Sequence, residues 1–360
     1  MLVGNWPSDT GYAWKMIERF WIAIAQEFPD RKTILCFPKV TTVSPALSAA
    51  GIAIREFDFR RPAALYEFCR TNDIGLIYLT DHAYASGVYP RLRRCGVSRI
   101  AIHDHTPGQR TRPSAPKRLA KTAWARWFGA DAYIACSEHV LNRLTEVGCI
   151  SAQRCHLARN GIDLSRFPAP HSSIRGELAL LQPTLLVVSS SRLHPYKRVA
   201  DIVEAAALLT DLDVHFIHVG GGPELPSLQT HIRDRGLTNR FTLLGQRDDV
   251  PNILAGCDIA VHASSGEVGL SLSILEFMAS RLAVIVTDEP SVGRIIDEGR
   301  TGLTFAHGNV AALAAGMRRL VTDAGLRARL GEAAREAVAS HYRIEDTVTS
   351  VVEVIRGLVQ

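Results

Sequence analysis

The sequence predicts an α/β protein made of two doubly wound parallel sheets, and three observations carry that prediction. Short β-branched or apolar runs alternate with amphipathic helical stretches along the chain, the signature of strands joined by crossover helices. At 360 residues the chain exceeds one common domain and suits two. Periodicity lapses between residues 167 and 176, where proline and serine cluster, and this marks the boundary.

In the first half, residues 2–5, 33–37, 74–79, 98–103 and 132–136 read as strands, with helices over residues 12–27, 62–71 and 138–147. The second half continues with strands at 184–189, 214–219, 241–244, 259–263, 283–287 and 302–305. Helices are predicted there at 199–209, 224–235, 249–256, 271–280 and 309–323, and a last one at 342–358 follows a complete α/β domain. The expected division is therefore two Rossmann-like domains, 1–167 and 168–340, with residues 341–360 forming a terminal helix that packs back on the first domain. Two such domains facing a central cleft present ligands to the carboxyl ends of their strands.

Composition narrows the function classes. Hydrophobic residues make up 47% and charged residues 21%, as in a soluble globular protein, without disordered tracts or solenoid repeats. The opening residues lack a signal peptide's pattern and no apolar run approaches about 18 residues, so a cytoplasmic protein that does not span a membrane is expected. The seven cysteines, with no CxxC pair and mostly apolar neighbours, read as packed thiols rather than a zinc site or disulfide framework. Residues 1–170 carry 23 Lys and Arg against 14 Asp and Glu, and residues 171–360 carry 18 against 22. The basic first half points to an anionic partner.

The chemistry gathers in the second half. A strand ending in Ser189-Ser-Ser191 delivers Arg192 and Lys197 on a loop before the helix that begins near Val199. Two cations at a strand's carboxyl end beside a helix N-terminus suit a diphosphate, because the side chains and the positive helix end act on one anion. In isolation this spacing is more often a solvated basic turn. It is followed, however, by Gly220-Gly-Gly222 between strand and helix, where backbone can approach a ligand or simply turn tightly. Next, Gly245 with Gln246 and Arg247 ends a strand as an edge suited to a nucleobase. Glu267 then stands before a glycine turn, and Glu276 lies within the following helix among Ile274, Leu275, Phe277 and Met278.

The order R-x4-K, VGGGPE, LLGQ, DIAVHAS and GEVGLSLSILEFMA resembles the C-terminal domain of GT-B glycosyltransferases, especially the large retaining family 4 among the group 1 glycosyl transferases. Upstream, Ala135-Cys-Ser137 and Arg159-Asn-Gly-Ile-Asp163 with Phe167 are similar to further family segments, as is Gly299-Arg-Thr-Gly-Leu303 downstream. The likeness covers roughly residues 70–340. It implies a retaining transferase whose donor, a nucleotide-diphosphate sugar, binds mainly to the C-terminal domain, with the acceptor on the N-terminal side. Arg192 and Lys197 would hold the diphosphate and stabilise the departing nucleotide. Glu276 would accept hydrogen bonds from the ribose diol, and Glu267 would lie by the donor sugar. Main-chain N–H groups around Ser271 and Leu272 would face phosphate, Gly221 and Gly245 would approach the donor, and Gln246 and Arg247 would flank the base.

One departure stands out. The family separates its paired glutamates by seven residues, whereas eight lie between Glu267 and Glu276, so the expected position falls on Val268. A turn one residue longer, made easy by Gly266 and Gly269, would still present Glu267. In the first half, His105 is the expected counterpart of the family's histidine near the anomeric carbon, with His103 as the alternative. Asp81 or His82 ends a neighbouring strand, and Gly11 sits at the first strand-to-helix turn, where relatives bring a glycine loop to donor or acceptor.

No metal and no cofactor beyond the donor co-substrate are required by this reading. The Asp211 and Asp213 pair resembles a metal-binding DxD, but it precedes a strand and reads as a helix exit. Residues 109–129 hold Arg110, Arg112, Lys117, Arg118, Lys121 and Arg126 with no acid. Written as a helix from Lys117 to Phe128, they set Leu119, Ala120, Ala123, Trp124, Trp127 and Phe128 apart from the cations. Such a helix either docks peripherally on the inner face of an anionic membrane or packs on a core with a solvated edge. Nucleic acid is not expected, since no recognition motif accompanies the charge. Two rival functions share the fold: a nucleotide-sugar epimerase or hydrolase, and a catalytically silent binding subunit.

Overall fold

The computed structural model describes residues 2–6, 12–42, 44–108, 110–167, 172–180 and 183–360. The first unit begins with β1 (Leu2–Asn5), α1 (Tyr12–Glu27), β2 (Thr33–Phe37), α2 (Pro45–Ala49), β3 (Ala53–Glu56), α3 (Pro62–Thr71) and β4 (Leu76–Thr80). It continues through α4 (Val88–Arg94), β5 (Arg99–Asp104), α5 (Ala115–Phe128), β6 (Ala132–Ala135), α6 (Glu138–Asn142) and β7 (Cys155–Leu157). The second unit contains α7 (Ile174–Glu177), β8 (Leu185–Ser190), α8 (Val199–Ala207), β9 (Val214–Val219), α9 (Leu225–Asp234), β10 (Phe241–Leu243) and α10 (Val250–Ala255). It closes with β11 (Ile259–His262), α11 (Leu272–Ala279), β12 (Ala283–Thr287), β13 (Leu303–Phe305), α12 (Val310–Thr322) and α13 (Ala324–His341), after which α14 (Ile344–Val359) returns to the first unit.

Both sheets are parallel. Their orders are β3-β2-β1-β4-β5-β6-β7 and β10-β9-β8-β11-β12-β13, so each winds outward in both directions from a central strand. Strand order reverses at β1/β4 in the first unit and at β8/β11 in the second, and the crevice beyond the carboxyl ends at such a reversal is where open α/β sheets bind ligands. In the first unit, Trp21 of α1 packs against β1 only because Gly4 has no side chain: a Cβ there would meet the indole at 1.9 Å. In the second, Val187, Phe216, Val261 and Ile285 of neighbouring strands pack with Val203, Leu313 and Leu330 from the helices to form one core.

The units divide at Asn160/Gly161 and Arg343/Ile344, and Pro107 and Gly108, after β5, also group with the second unit. Residues 161–167 go with the second unit because the Ile162 N–H donates to the Tyr342 carbonyl at 2.8 Å and Ile162 pairs with Arg343. Helix α14 buries Ile344, Val351 and Ile355 and packs on α1, β5 and β6. Thr347 also donates to the Arg159 carbonyl at 2.6 Å.

Four departures from the sequence-based elements have physical causes. β3 and β7 were not expected: β3 carries Arg55 and Glu56 on a sheet edge, and β7 is three residues long. Helix α13 was also missed, because its buried stripe of Leu326, Leu330, Gly331, Ala334 and Val338 is partly made of small residues among many charges. The helix predicted over 138–147 is α6 followed by one π-helical turn, Arg143–Val147. The seven cysteines are all free thiols.

Candidate active site

In the second unit the loop after β8 and the loop after β11 are tied together. The Tyr196 carbonyl accepts from the Ser265 N–H at 2.7 Å and from the Ser264 and Ser265 hydroxyls. Thr287 at the end of β12 donates to the Ser264 carbonyl at 2.7 Å. This lattice sets the Lys197 ammonium against the Glu267 carboxylate. Glu267 is only 7% exposed and also takes a hydrogen bond from His262 Nε2 at 2.9 Å, while its own N–H donates to Ser291 Oγ at 3.0 Å. Burial would raise its pKa, but the His262 hydrogen bond and the Lys197 charge outweigh burial and bring it to about 2. Glu267 is thus ionised, and His262, whose pKa is lowered by burial, is neutral and presents Nε2–H to it.

The longer glycine turn therefore brings Glu267 to Lys197, with Gly269 at φ 86° and Val268 half-buried beside it. Arg192 is exposed on the same loop, its guanidinium 3.4 Å from the Tyr196 hydroxyl. Gly220 and Gly222 press on this loop. A Cβ on Gly220 would sit 1.9 Å from the Ser191 carbonyl oxygen, and one on Gly222 2.4 Å from that of Leu193, whereas Gly221 faces open space. Two of the three glycines thus serve the turn, and Gly221 is the one free for a ligand.

Glu276 on α11 has the opposite electrostatics. It is 5% exposed, and no hydrogen bond reaches its carboxyl among the described residues. Burial raises its pKa to about 8 against the partial opposition of the Arg166 charge. Ser271, the N-cap of α11, makes no side-chain cap bond, so the N–H groups at Ser271 and Leu272 begin the helix without one. Gly245, at φ 67°, accepts from the Gly220 N–H at 2.8 Å and meets nothing on its open side. Gln246 is exposed beside it. Arg247 is committed to its own unit's acids: it bonds both Asp249 oxygens at 2.7 Å and Glu177 at 3.1 Å, which braces the loop. Asp211 pairs with Arg318 and Asp213 accepts from Thr184, and no cluster of metal-ligating side chains occurs among the described residues.

In the first unit, His105 follows β5. Its N–H donates to Asp81 at 2.6 Å, and its ring meets Trp6 edge-on at 5.6 Å. Burial lowers its pKa to about 4, and its Nε2 is shielded without a hydrogen-bond partner. His103 is more deeply buried and bonds the Tyr78 hydroxyl through Nδ1, so its ring belongs to the core beneath. His82 turns back to the Thr80 carbonyl at 2.7 Å. Asp104 is buried against Arg143 at 2.9 Å, and Arg143 and Thr106 fix the turn that carries His105. Burial would raise the Asp104 pKa, yet the Arg143 charge and hydrogen bonds from Thr106 and Tyr84 hold it below the ordinary value. Gly11 lies outside the described residues.

Sequence reasoning missed His262, Ser291, Arg166, Trp6 and Arg143. Only Arg166, beside the family-like Asn160-Gly-Ile-Asp163 segment, had a signal that pointed toward it.

Residues 172–337 match the model described as glycosyl transferases group 1, and residues 23–166 match glycosyltransferase family 4. N-acetyl-alpha-D-glucosaminyl L-malate synthase of Bacillus anthracis is 28% identical over 51% of this chain and 48% of its own length, so the chain spans about half of that relative. A GDP-mannose-dependent alpha-(1-6)-phosphatidylinositol monomannoside mannosyltransferase of Mycobacterium tuberculosis is 26% identical over 79% of this chain and 77% of its own. Anabaena Alr3699/HepE, solved with UDP-glucose, superimposes with a TM-score of 0.80 at 20% identity over 99% of both chains, which shows a shared GT-B fold.

Proposed function

We propose that this chain, which belongs to the family-4-like group 1 glycosyltransferases, moves a sugar from a nucleotide-diphosphate donor to an acceptor hydroxyl with retained anomeric configuration. The observation that carries the reading is the Lys197–Glu267–His262 cluster at the β8/β11 reversal, with Arg192 on the same loop. The bond from the anomeric carbon to the diphosphate breaks with its electron pair going to the nucleotide. The acceptor oxygen bonds to that carbon, and its proton leaves with the nucleoside diphosphate. Arg192, Lys197 and the N–H groups at the start of α11 stabilise the growing phosphate charge, which is the part a metal ion plays in other transferases. Glu276 holds the ribose diol, Glu267 orders the sugar, and neutral His105 offers a hydrogen bond without adding charge.

Arg192→Ala is the cleanest test, because Arg192 is exposed and holds no buried partner. Nucleoside diphosphate affinity should fall about tenfold or more, as for a lost charge-assisted bond, while nucleoside affinity stays within about twofold. Equal losses for both ligands would overturn the diphosphate assignment. Product analysis by NMR reads the anomeric configuration, and turnover in a chelator reads metal independence. Free sugar or epimerised nucleotide in place of a glycoside would favour the hydrolase or epimerase reading, and binding without turnover the silent subunit.

On the acceptor side, we infer peripheral docking on an anionic membrane through α5, with the protein in the cytoplasm and on the membrane's inner face. Leu119 is 75% and Trp127 74% exposed, and only Ala125 of that helix is fully buried. No helix among the described residues is long and apolar enough to cross a membrane. Cosedimentation with anionic vesicles at low salt, lost at high salt, tests this docking.

A further inference from the structure

Between α5 and the turn that follows the π-helix lies an open groove of about 560 Å³, within the roughly 300–1,000 Å³ that small-molecule sites occupy. Its polar lining is Arg118, Arg126 and Arg154 with Thr122, Thr145 and Ser151, and no carboxylate lines it. Cys149 and Ile150 are the buried, apolar part of its wall. Arg154 is fixed in place: its guanidinium donates to the Ala130 and Ala125 carbonyls at 3.0 and 3.1 Å and lies 5.8 Å over the Tyr133 ring. Arg118, Thr122 and Arg126 follow at four-residue spacing on one face of α5. The nearby acid Glu146 is already paired with Arg112 at 2.5 Å.

Three guanidinium groups and the Ser151 hydroxyl around one groove are donors matched to phosphate oxygens, with no acceptor charge opposing them, while the Thr122 and Thr145 hydroxyls donate to the Arg118 and Leu141 carbonyls of their own helices. One step round the helix from the arginine row stands a second row, Leu119, Ala123 and Trp127, again at four-residue spacing and exposed. A cationic groove beside an exposed apolar ridge fits a ligand that is anionic at one end and apolar at the other. We propose that this groove seats the phosphate of an anionic phospholipid headgroup while Leu119 and Trp127 enter the acyl boundary. The proposal deepens the docking reading above and rests on it for the lipid, though not for the phosphate.

Ser151→Glu and Lys117→Gln each change the charge by one unit, but only the first alters the groove. With phosphatidylcholine vesicles containing phosphatidylglycerol, Ser151→Glu should weaken binding about tenfold or more. Lys117→Gln should weaken it about fivefold or less, the effect of one cation near an anionic surface. Equal losses would overturn the groove and leave diffuse docking in place. Arg118→Gln/Arg126→Gln should abolish the binding of inorganic phosphate followed by NMR, whereas Leu119→Gln/Trp127→Gln should abolish vesicle binding and retain phosphate. If the wild-type protein ignores the vesicles, both the docking and the lipid proposal fall. Phosphate binding that survives this result and depends on Arg118 and Arg126 would make the ligand a free phosphate.

Discussion

Glu267 and Glu276 are chemically identical side chains, both nearly excluded from water, and their neighbours drive them apart. His262 and Lys197 hold Glu267 ionised, with a pKa of about 2, while Glu276, opposed only in part by Arg166, titrates near 8. For Glu276 the folded pKa lies above the reference value of 4.5, so the native state binds more protons than the unfolded one between those values. Its stabilising contribution is complete below about 4.5 and is lost as pH rises through about 8. The melting temperature of wild type should therefore fall relative to Glu276→Gln between pH 5 and pH 8.5, which a thermal scan in matched buffers checks. A ribose diol donating to this group favours its ionised form. Donor binding near pH 7 should then release a proton, seen calorimetrically in buffers of different ionisation enthalpy and absent in Glu276→Gln. The two glutamates were legible in the sequence from the glycine turn and from the apolar neighbours of Glu276. Their opposite charge states were not, because Lys197 and Arg166 reach them from other segments.

At the scale of elements, the loop after β8 is shaped by the glycines after β9. Gly220 has φ 135° and no room for a Cβ against the Ser191 carbonyl, whereas a Cβ on Gly221 meets nothing within 4 Å. Gly220→Ala should cost about 2 kcal/mol or more through strain and collision, and should weaken donor binding by displacing Arg192 and Lys197. Gly221→Ala should keep stability within about 1 kcal/mol and weaken donor binding alone. Chemical denaturation with parallel nucleotide titration separates the two, and equal destabilisation would refute the division of labour. The sequence showed three glycines and a strand-to-helix turn. It did not show which glycine faced protein and which faced open space, since that depends on the neighbouring loop. For α5 the amphipathic pattern was legible, but whether its apolar row met a core was decided by packing, which leaves Leu119 and Trp127 exposed.

At the scale of the whole molecule, the last helix completes the first unit. α14 was predicted from its periodicity, and it buries Val351 and Ile355 on α1, β5 and β6, with Arg356 bonded to Glu27 at 2.8 Å. Ile355→Ala removes a fully buried side chain and should cost about 2–4 kcal/mol. Hydrogen exchange should locate the loss in α1, β5 and β6 while β8, β9 and β11 keep their protection. Uniform loss across both units would mean that they unfold as one.

The sequence alone determined the α/β alternation, the two-part division, most strand positions, the cationic loop of Arg192 and Lys197 after a strand, the two glutamates and the acid-free basic helix. These depend on periods of two and 3.6, on turn residues and on local spacing, all of which are written along the chain. Tertiary structure decided which side chains meet: Lys197 and His262 on Glu267, Arg166 near Glu276, Arg247 withdrawn onto Asp249 and Glu177, and Arg154 joined to Arg118 and Arg126 around one groove. Charge state and ligand access follow from burial and from partners brought in by crossover connections. Residues distant in sequence become neighbours only when the sheet order is set, and local pattern carries no record of that order.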